Sequence, residues 1–248
     1  TEQLAALGHE FRTPLSGVLG MARLLEGTRL TAEQKSYVSA MRDSGEHLLG
    51  LVNELLDFAR LGAGKVELRP APLNLETTLQ AVAELLSPRA QEKGLEIAWA
   101  APRGARVLAD EGRLRQILLN FAGNAIKFTH EGGVLLRAEA RPGGRWRFSV
   151  ADTGPGIAQE ARDLIFEAFA QTEAAHQATG AGLGLAIARR LAKAMGGAVG
   201  VEEGPGGGAE FWFEAPLPPA AENACAAGSA ASLAGPHGGA APPNPLVP

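Results

Sequence analysis

Two asparagines and a lysine share one face of a predicted helix and carry groups that suit a charged ligand. Asn120, Asn124 and Lys127 are spaced i, i+4 and i+7 in a helix predicted from Asp110 to Phe128, so all three project from the same side. Amide oxygens suit magnesium, a hard cation that binds alongside phosphates, and the lysine ammonium adds positive charge for those phosphates. The same side chains would also suit the solvated face of an ordinary amphipathic helix.

A hexapeptide at the end of a predicted strand adds a carboxylate with glycines beside it. The strand near Trp146 to Ala151 is followed by Asp152-Thr-Gly-Pro-Gly-Ile157. The Asp152 carboxylate can accept a hydrogen bond from the exocyclic amine of adenine, while Gly154 and Gly156 let the backbone approach the ring. An ordinary turn explains the hexapeptide equally well, because Asp, Gly and Pro all favour turns.

A second glycine-rich segment, Gly180-Ala-Gly-Leu-Gly-Leu185, opens a helix predicted from Leu183 to Met195. Unblocked N–H groups and the helix dipole favour an anion at such a start, here a triphosphate. Two commoner phosphate motifs are missing from the sequence. There is no Gly-x-x-x-x-Gly-Lys-Ser/Thr, and the dinucleotide pattern fails because position 185 is Leu and position 159 is Gln. The sequence therefore excludes P-loop enzymes and nicotinamide-dependent enzymes.

One histidine lies on the solvent side of a predicted amino-terminal helix. His9 is two residues from both Leu7 and Phe11, so at about 100 degrees per residue it points away from the apolar side, and Thr13 shares its face. A neutral imidazole offers a nitrogen lone pair near neutral pH, and the carboxylate of Glu10 can accept the hydrogen of the other ring nitrogen. Taken alone, an exposed histidine is more often an ordinary surface residue.

The helix that carries His9 is the first of two in a predicted hairpin, with Gly27 to Thr31 as the turn. Apolar residues recur in steps of three and four, which gives each helix a heptad-like seam. The seam residues are Leu4, Leu7, Phe11, Leu15, Val18, Ala22 and Leu25 in the first helix, and Val38, Met41, Gly45, Leu48, Val52, Leu55 and Ala59 in the second. A hairpin alone cannot cover both seams, so the sequence predicts a homodimer with a four-helix bundle.

Beyond position 64, strands and helices alternate, which predicts an α/β sandwich with helices on one face of a mixed sheet. A short strand is predicted near Val66 to Arg69, ahead of a helix from Leu75 to Lys93. The predicted domains are the hairpin at 1–64, the sandwich at 65–217 and an Ala/Gly/Pro-rich linker at 218–248, whose composition is typical of disorder. The length of the linker predicts a further domain beyond it.

The composition excludes several classes of function. Lys and Arg total 23 against 27 Asp and Glu, a net charge of -4, so the basic field of a nucleic-acid-binding protein is missing. The one cysteine, Cys225, excludes an internal disulfide framework and favours a reducing, cytoplasmic setting. No apolar run reaches the roughly 20 residues of a membrane span, so any membrane anchor is expected outside this sequence.

The strings around these residues resemble the boxes of histidine kinases. Gly-His-Glu-Phe-Arg-Thr-Pro-Leu at 8–15 resembles the H-box, and Leu-Arg-Gln-Ile-Leu-Leu-Asn-Phe-Ala-Gly-Asn-Ala-Ile-Lys-Phe-Thr at 114–129 resembles the N-box. The two glycine segments resemble the glycine boxes of the family, and Ile165-Phe-Glu-Ala-Phe-Ala-Gln171 resembles its phenylalanine box. Five boxes in this order are far more specific than any one of them, and the resemblance covers roughly positions 1–216.

The resemblance implies a role for each box. It makes His9 the phosphorylated residue, Glu10 the general base of autophosphorylation and Thr13 the residue that orients water when a phosphorylated partner is hydrolysed. It makes Asn124 the direct magnesium ligand, supported by Asn120. The nucleotide-binding residues that it implies are Asn120, Asn124, Lys127, Asp152, Gly154, Gly156, Ile157, Phe166, Phe169, Gly180, Gly182, Leu183, Gly184 and Leu185.

The resemblance therefore predicts an ATP- and Mg²⁺-dependent protein-histidine kinase, in which a dimeric helical hairpin precedes an ATP-binding α/β sandwich of the gyrase, chaperone and histidine kinase type. It implies phosphoryl transfer from His9 to an Asp of a response-regulator receiver domain, phosphatase activity toward that domain, an upstream sensor domain and a hybrid kinase as the parent protein. Two alternatives stay open at this point. One is another ATPase of the same superfamily, which would lack the His9 hairpin, and the other is a non-catalytic scaffold that binds nucleotide or a partner.

Overall fold

The computed structural model describes residues 2–62, 67–170, 182–204 and 206–220, with the side chains of all of these except residues 2–10, 60 and 62. The elements in chain order are α1 (Glu2–Glu26), α2 (Ala32–Gly62), β1 (Ala71–Asn74), α3 (Leu75–Glu92), β2 (Glu96–Ala100), β3 (Arg106–Ala109), α4 (Glu111–Phe128), β4 (Gly133–Arg141), β5 (Arg145–Asp152), two short 3-10 helices (Gln159–Ala161 and Leu164–Phe166), α5 (Gly184–Ala194), β6 (Ala198–Glu203) and β7 (Ala209–Pro216). Over these ranges, no helix is both long enough and apolar enough to cross a membrane.

The helices α1 and α2 form the predicted antiparallel hairpin. A reciprocal cap starts α2, because Thr31 Oγ1 accepts from the Gln34 N–H at 3.2 Å while the Gln34 side chain accepts from the Thr31 N–H at 3.0 Å. The two helices approach closely where Leu19 faces Gly45, since a Cβ on Gly45 would lie 2.9 Å from Leu19 Cδ2. Pro14 lies inside α1, and the helix continues through it.

One side of the hairpin is uncovered in the single chain. The buried apolar side chains of α1 and α2 are Leu19, Ala22, Val38 and Leu56, and the predicted seams do not contain Leu19 or Leu56. Large apolar residues that are 43 to 70 % exposed include Phe11, Val18, Met21, Leu24, Leu25, Met41, Leu48 and Leu55. Much of the predicted seam therefore faces outward, as expected for a surface that a second copy covers.

The rest of the described chain forms a five-stranded sheet with helices on one face, as predicted. The strand order is β2-β4-β5-β7-β6, with β2 and β4 parallel and the other neighbours antiparallel. Phe148 of β5 and Phe213 of β7 are opposite each other and fully buried, with ring centroids 5.9 Å apart. Burying one such side chain contributes about 1.5–3 kcal/mol. The helices α4 and α5 pack on this aromatic layer.

The second, smaller sheet shows that one prediction was wrong. The strand expected near Val66 to Arg69 lies instead at Ala71–Asn74, where it pairs antiparallel with β3. Pro72 argues against a strand here, but it is tolerated because β1, which pairs only with β3 in this sheet, is an edge strand. Asn74 ends β1 and caps α3, since its Oδ1 accepts from the Glu76 N–H at 2.9 Å.

The helix α4, which carries the two asparagines and the lysine, is held at both ends. At its start, Asp110 Oδ1 accepts from the Arg113 N–H at 3.1 Å. At its end, the ammonium of Lys93 donates to the carbonyls of Ile126 at 2.8 Å and Lys127 at 2.6 Å. Lys93 directly follows α3, so the end of α4 is anchored by a neighbouring helix.

Candidate functional site

Asn120 joins the polar face of α4 to the start of α5. Its Nδ2 donates to the Gly184 carbonyl at 2.8 Å, across 64 positions of sequence. A Cβ on Gly184 would lie 3.4 Å from Asn120 Oδ1, so the glycine backbone and the amide are in direct contact. Leu183 is 1 % exposed, which anchors the residue before α5 in the core. The structure therefore brings together the N-box face and the second glycine segment.

The first glycine segment lies against the other end of α4. A Cβ on Gly154 would lie 3.2 Å from Thr129 Oγ1 and 3.4 Å from the Phe128 carbonyl oxygen. Thr129 is buried, and its hydroxyl donates to the Ala125 carbonyl at 2.7 Å, where the helix ends. The polar face of α4 is thus flanked by one glycine segment near Asn120 and by the other near its last residues.

Asp152 is a buried carboxylate at the end of β5 that receives two backbone hydrogen bonds. It is 7 % exposed, and its Oδ1 accepts from the Gly154 N–H at 2.9 Å and from the Ala209 N–H at 3.2 Å. Burial raises the pKa of Asp152, and the hydrogen bonds from Ala209 and Gly154 oppose that rise. Both bonds go to Oδ1, so the lone pairs of Oδ2 are not used by them and can receive an amine donor.

The turn between β6 and β7 is a part of the site that the motifs did not predict. A Cβ on Gly208 would overlap the carbonyl oxygen of Asp152 and lie 3.0 Å from Asp152 Oδ1. A Cβ on Gly156 would lie 2.7 Å from the Gly207 carbonyl oxygen. Three consecutive glycines at 206–208, just before β7, are the signal in the sequence that points to this close approach.

Lys127 is half-buried in the last turn of α4. Burial lowers the pKa of Lys127, and the negative charge of Glu54 on α2 opposes this change. Burial likewise raises the pKa of Glu54, opposed by the charges of His47 and Lys127. The ammonium of Lys127 also lies 5.0 Å from the centroid of the Phe128 ring. The ammonium of Lys127 therefore lies at the carboxyl end of α4, which is the end that the first glycine segment contacts.

The two phenylalanines of the phenylalanine box have different environments. Phe166 is 5 % exposed and packs edge-on against a phenylalanine of β7. Phe169 is 63 % exposed, has a φ of 63°, and its N–H donates to the Gly182 carbonyl at 3.1 Å. Ile157 and Leu185 are partly buried against the same core as Phe166. Three of these predicted residues therefore support the site from the core, while Phe169 lies at the surface beside the second glycine segment.

The predicted phosphoacceptor region is helical. His9 and Glu10 belong to α1, but their side chains lie outside the described residues, as does Gly180 of the second glycine box. Thr13 is on the same helix, one turn after His9, and is exposed. The backbone therefore supports the predicted helical spacing of these three residues.

The side chains around α4 fit a magnesium ion that arrives with a phosphate ligand. In the described ranges, no group of three or more His, Cys, Asp or Glu side chains is placed to hold a metal ion. The half-buried Asn124 and Asn120 offer amide oxygens on the same helix face. Two amide oxygens leave an octahedral cation short of ligands, and phosphate oxygens and waters would complete the shell.

Comparison with known proteins matches both parts of the chain to protein families. Residues 1–64 match the His Kinase A (phospho-acceptor) domain. Residues 109–219 match the family described as Histidine kinase-, DNA gyrase B-, and HSP90-like ATPase.

Similar proteins include the Sensor protein GacS of Pseudomonas syringae pv. syringae, which is 42 % identical over 231 residues. The match covers 90 % of this chain and 26 % of GacS, so the chain spans about a quarter of that relative. The crystal structure of full-length ShkA in complex with AMPPNP aligns with a TM-score of 0.79 at 68 % identity, over 89 % of this chain and 47 % of ShkA. Histidine kinase ThkA, solved in complex with response regulator protein TrrA, aligns with a TM-score of 0.60 at 26 % identity, over 87 % of this chain and 61 % of ThkA.

The first match covers the helical hairpin, and the second covers the sandwich from α4 to β7. The chain therefore belongs to the histidine kinases and contains the catalytic core of one.

Proposed function

We propose that this histidine kinase core transfers the γ-phosphoryl group of ATP to His9 and then to an Asp of a response-regulator receiver domain. The observation that carries the proposal is the hydrogen bond from Asn120 to the Gly184 carbonyl, which brings the N-box face and the second glycine segment together. Phosphates bound at the start of α5 would then lie beside the amide oxygens of α4.

The roles in nucleotide binding follow from the contacts of each group. Asp152 Oδ2 accepts the hydrogen bond of the adenine amine, while Gly154 and Gly156 leave room for the ring. Asn124 provides the oxygen ligand for Mg²⁺, and Lys127 offsets negative charge on the phosphates. When bound, Mg²⁺ neutralises charge on the phosphate oxygens.

Phosphoryl transfer at His9 requires a neutral imidazole. Its unprotonated nitrogen attacks the γ-phosphorus, the bond from that phosphorus to the β,γ-bridging oxygen breaks, and ADP leaves with the electron pair. Glu10 accepts the hydrogen of the other ring nitrogen, which keeps the imidazole nucleophilic as the new N–P bond forms. The N–P bond then breaks as the phosphoryl group passes to an Asp carboxylate oxygen of the receiver domain, and Glu10 returns the proton to the ring, so that His9 is again a neutral imidazole.

The proposed partners are a second copy of the chain and a receiver domain. The exposed apolar side of α1 and α2 is the surface on which we expect the second copy to pack. The receiver domain is proposed by analogy with ThkA, which was solved with its response regulator TrrA. A receiver domain in the same parent protein would make that protein a hybrid kinase, and an upstream sensor domain would supply its input. We place the core in the cytoplasm.

The test of the kinase reaction is incorporation of labelled phosphate. With Mg²⁺ and γ-labelled ATP, the purified chain should acquire phosphate that is labile in acid and stable in base, and His9→Gln should abolish it. The matched control is His47→Gln on α2, which should retain full labelling. Label that persists in His9→Gln, or that is found on Ser or Thr, would disprove the assignment.

The same preparation tests the proposed phosphatase role of Thr13. Thr13→Ala should leave labelling of His9 within about twofold of the parent chain, because its hydroxyl takes no part in the attack on ATP. It should slow hydrolysis of a phosphorylated receiver domain by up to about tenfold, since one hydrogen bond that orients the water contributes about 0.5–1.5 kcal/mol. Equal hydrolysis rates for the two proteins would remove Thr13 from this role.

A further inference from the structure

Thr153 joins the first glycine segment to the α4–β4 loop, which comprises residues 129–133. Its Oγ1 donates to the Glu131 carbonyl at 2.7 Å and accepts from the Gly133 N–H at 3.0 Å. The Thr153 N–H also donates to the Gly133 carbonyl at 3.3 Å. Outside the pairing of β4 with β5, every hydrogen bond between the described residues of the loop and of this segment therefore uses Thr153.

The α4–β4 loop is also held on the sides away from Thr153. The Glu96 N–H of β2 donates to the Gly132 carbonyl at 3.0 Å, and a Cβ on Gly133 would lie 2.7 Å from the Glu96 carbonyl oxygen. The ammonium of Lys93 reaches the Thr129 carbonyl at 3.4 Å, where the loop leaves α4. The loop is therefore fixed to β2 and to the end of α3 as well as to Thr153.

Gly132 makes room for the Thr153 hydroxyl. Its φ is 94°, in the left-handed region that favours glycine, and a Cβ at this position would overlap Thr153 Oγ1. A side chain at position 132 would push the hydroxyl away from the Glu131 carbonyl. The contact between the loop and the glycine segment thus depends on one threonine and one glycine that are 21 positions apart in the sequence.

The loop is a short extension of the helix end that carries the groups for phosphate and Mg²⁺. Lys127 lies in the last turn of α4, four positions before Glu131, and Asn124 lies one turn earlier. On the other side of the contact, Asp152 directly precedes Thr153. Thr153 therefore connects the carboxylate at the adenine end of the site to the helix end at its phosphate end.

We propose that Thr153 is a positioning residue that fixes the adenine end of the nucleotide site relative to the phosphate and Mg²⁺ end. ATP must contact both ends at once, so a fixed spacing lowers the ordering cost of binding. Adenosine contacts the base end alone, where Asp152 keeps its hydrogen bonds from Gly154 and Ala209 without the Thr153 side chain. This inference rests on the proposed function, because it uses the roles proposed there for Asp152 and Asn124.

The test uses Thr153→Val, which keeps the shape of the side chain and removes the hydroxyl. The Kd for ATP in the presence of Mg²⁺, measured by titration calorimetry, should rise about fivefold, since the loss of a hydrogen bond corresponds to a factor of about two to ten. The Kd for adenosine, measured by NMR titration, should stay within about twofold. Thr153→Ser keeps the hydroxyl and should bind ATP within about twofold of the parent chain.

The matched control is Thr77→Val in α3. Thr77 is exposed, as Thr153 is, and its Oγ1 donates to the Asn74 carbonyl at 3.0 Å. This control should bind ATP and adenosine as the parent chain does. Both valine variants lose hydrogen bonds at exposed positions, where water replaces the lost partner, so each should stay folded with a Tm within about 4 °C of the parent.

The difference between ATP and adenosine separates the proposed role from a purely structural one. An unchanged Kd for ATP in Thr153→Val would overturn the proposal. An equal rise for ATP and adenosine would assign Thr153 to the base pocket alone, and weak ATP binding by Thr153→Ser would show that the hydroxyl is not the cause. If the parent chain binds ATP but takes no phosphate on His9, the proposed phosphoryl transfer fails, while the Kd values still decide the role of Thr153.

Discussion

The carboxylate of Asp152 accepts a hydrogen bond from the Ala209 N–H at 3.2 Å, although the two residues are 57 positions apart. This bond crosses from the end of β5 to the start of β7, and the Gly154 N–H adds a second bond to the same oxygen at 2.9 Å. Burial raises the pKa of Asp152 while these donors oppose the rise. Burial of this carboxylate therefore disfavours its ionised form, and the two N–H donors partly offset that cost.

We predict that Asp152→Asn has opposite effects on ATP binding and on stability. Loss of the ionised acceptor should weaken ATP binding by about tenfold or more, as expected for a buried hydrogen bond to a charged group. The folded-state pKa is raised, so the carboxyl group favours the folded state below its unfolded pKa and loses that contribution as pH rises through the folded pKa. At pH 7 the nucleotide-free variant should therefore have a higher free energy of unfolding than the parent.

The pH dependence of the free energy of unfolding and of ATP affinity tests this prediction for Asp152. The free energy of unfolding, measured in urea at a series of pH values, should differ less and less between variant and parent as pH falls below about 4. At that pH the carboxyl group of Asp152 is protonated in both the folded and the unfolded state. The ATP affinity of the parent should fall more steeply than that of the variant over the same acid range, because only the parent loses an ionised acceptor at position 152. Asp163→Asn, at an exposed position, is the control. A variant that binds ATP as well as the parent would show that Asp152 does not contact the base.

We predict that Gly208→Ala damages the adenine end of the site through a steric overlap. The backbone at Gly208 is outside the left-handed region, so alanine is tolerated by the backbone itself. Its Cβ would overlap the Asp152 carbonyl oxygen, which must shift. We expect a loss of about 1–3 kcal/mol in the free energy of unfolding, together with weaker ATP binding, measured by denaturation and by titration calorimetry.

Gly123→Ala provides the comparison for Gly208. A Cβ on Gly123, inside α4, would meet nothing within 4 Å. Alanine should therefore stabilise this helix by about 0.5–1 kcal/mol, the opposite sign to Gly208. If both substitutions changed the free energy of unfolding in the same direction, close approach to Asp152 would not be the reason for glycine at position 208.

We predict that Lys93→Met loosens the end of α4 that carries Lys127. The Lys93 ammonium donates to the carbonyls of Ile126 and Lys127 at 2.8 and 2.6 Å, at the negative end of the helix. Its removal should lower the free energy of unfolding by about 1 kcal/mol and speed amide hydrogen exchange in the last turn of α4. Lys193→Met, in the exposed last turn of α5, should change neither by much. Unchanged exchange in α4 would contradict the capping role.

Most elements could be predicted from the sequence because their signals are local. The helix over Glu111–Phe128 begins at the Asp110 cap, and its apolar stripe follows the helical period. The strand at Ala71–Asn74 was misplaced because its proline argues against a strand and only pairing with β3 makes the position favourable. The predicted seams also missed Leu19 and Leu56, because the burial of these residues depends on how the two helices of the hairpin are rotated against each other.

The sequence by itself determined which groups are available for chemistry: an imidazole next to a carboxylate on one helix, two amides and an ammonium on another, and glycines beside an aspartate. Spacing along a helix is a local property, so one face of α4 was predicted without knowledge of the fold. Only the tertiary structure decided which distant groups meet, because contacts such as Asn120 with Gly184 and Asp152 with Ala209 depend on the order of strands in the sheet. The placement of Arg190 on Phe58 likewise depends on how the domain sits on α2, which no local pattern encodes.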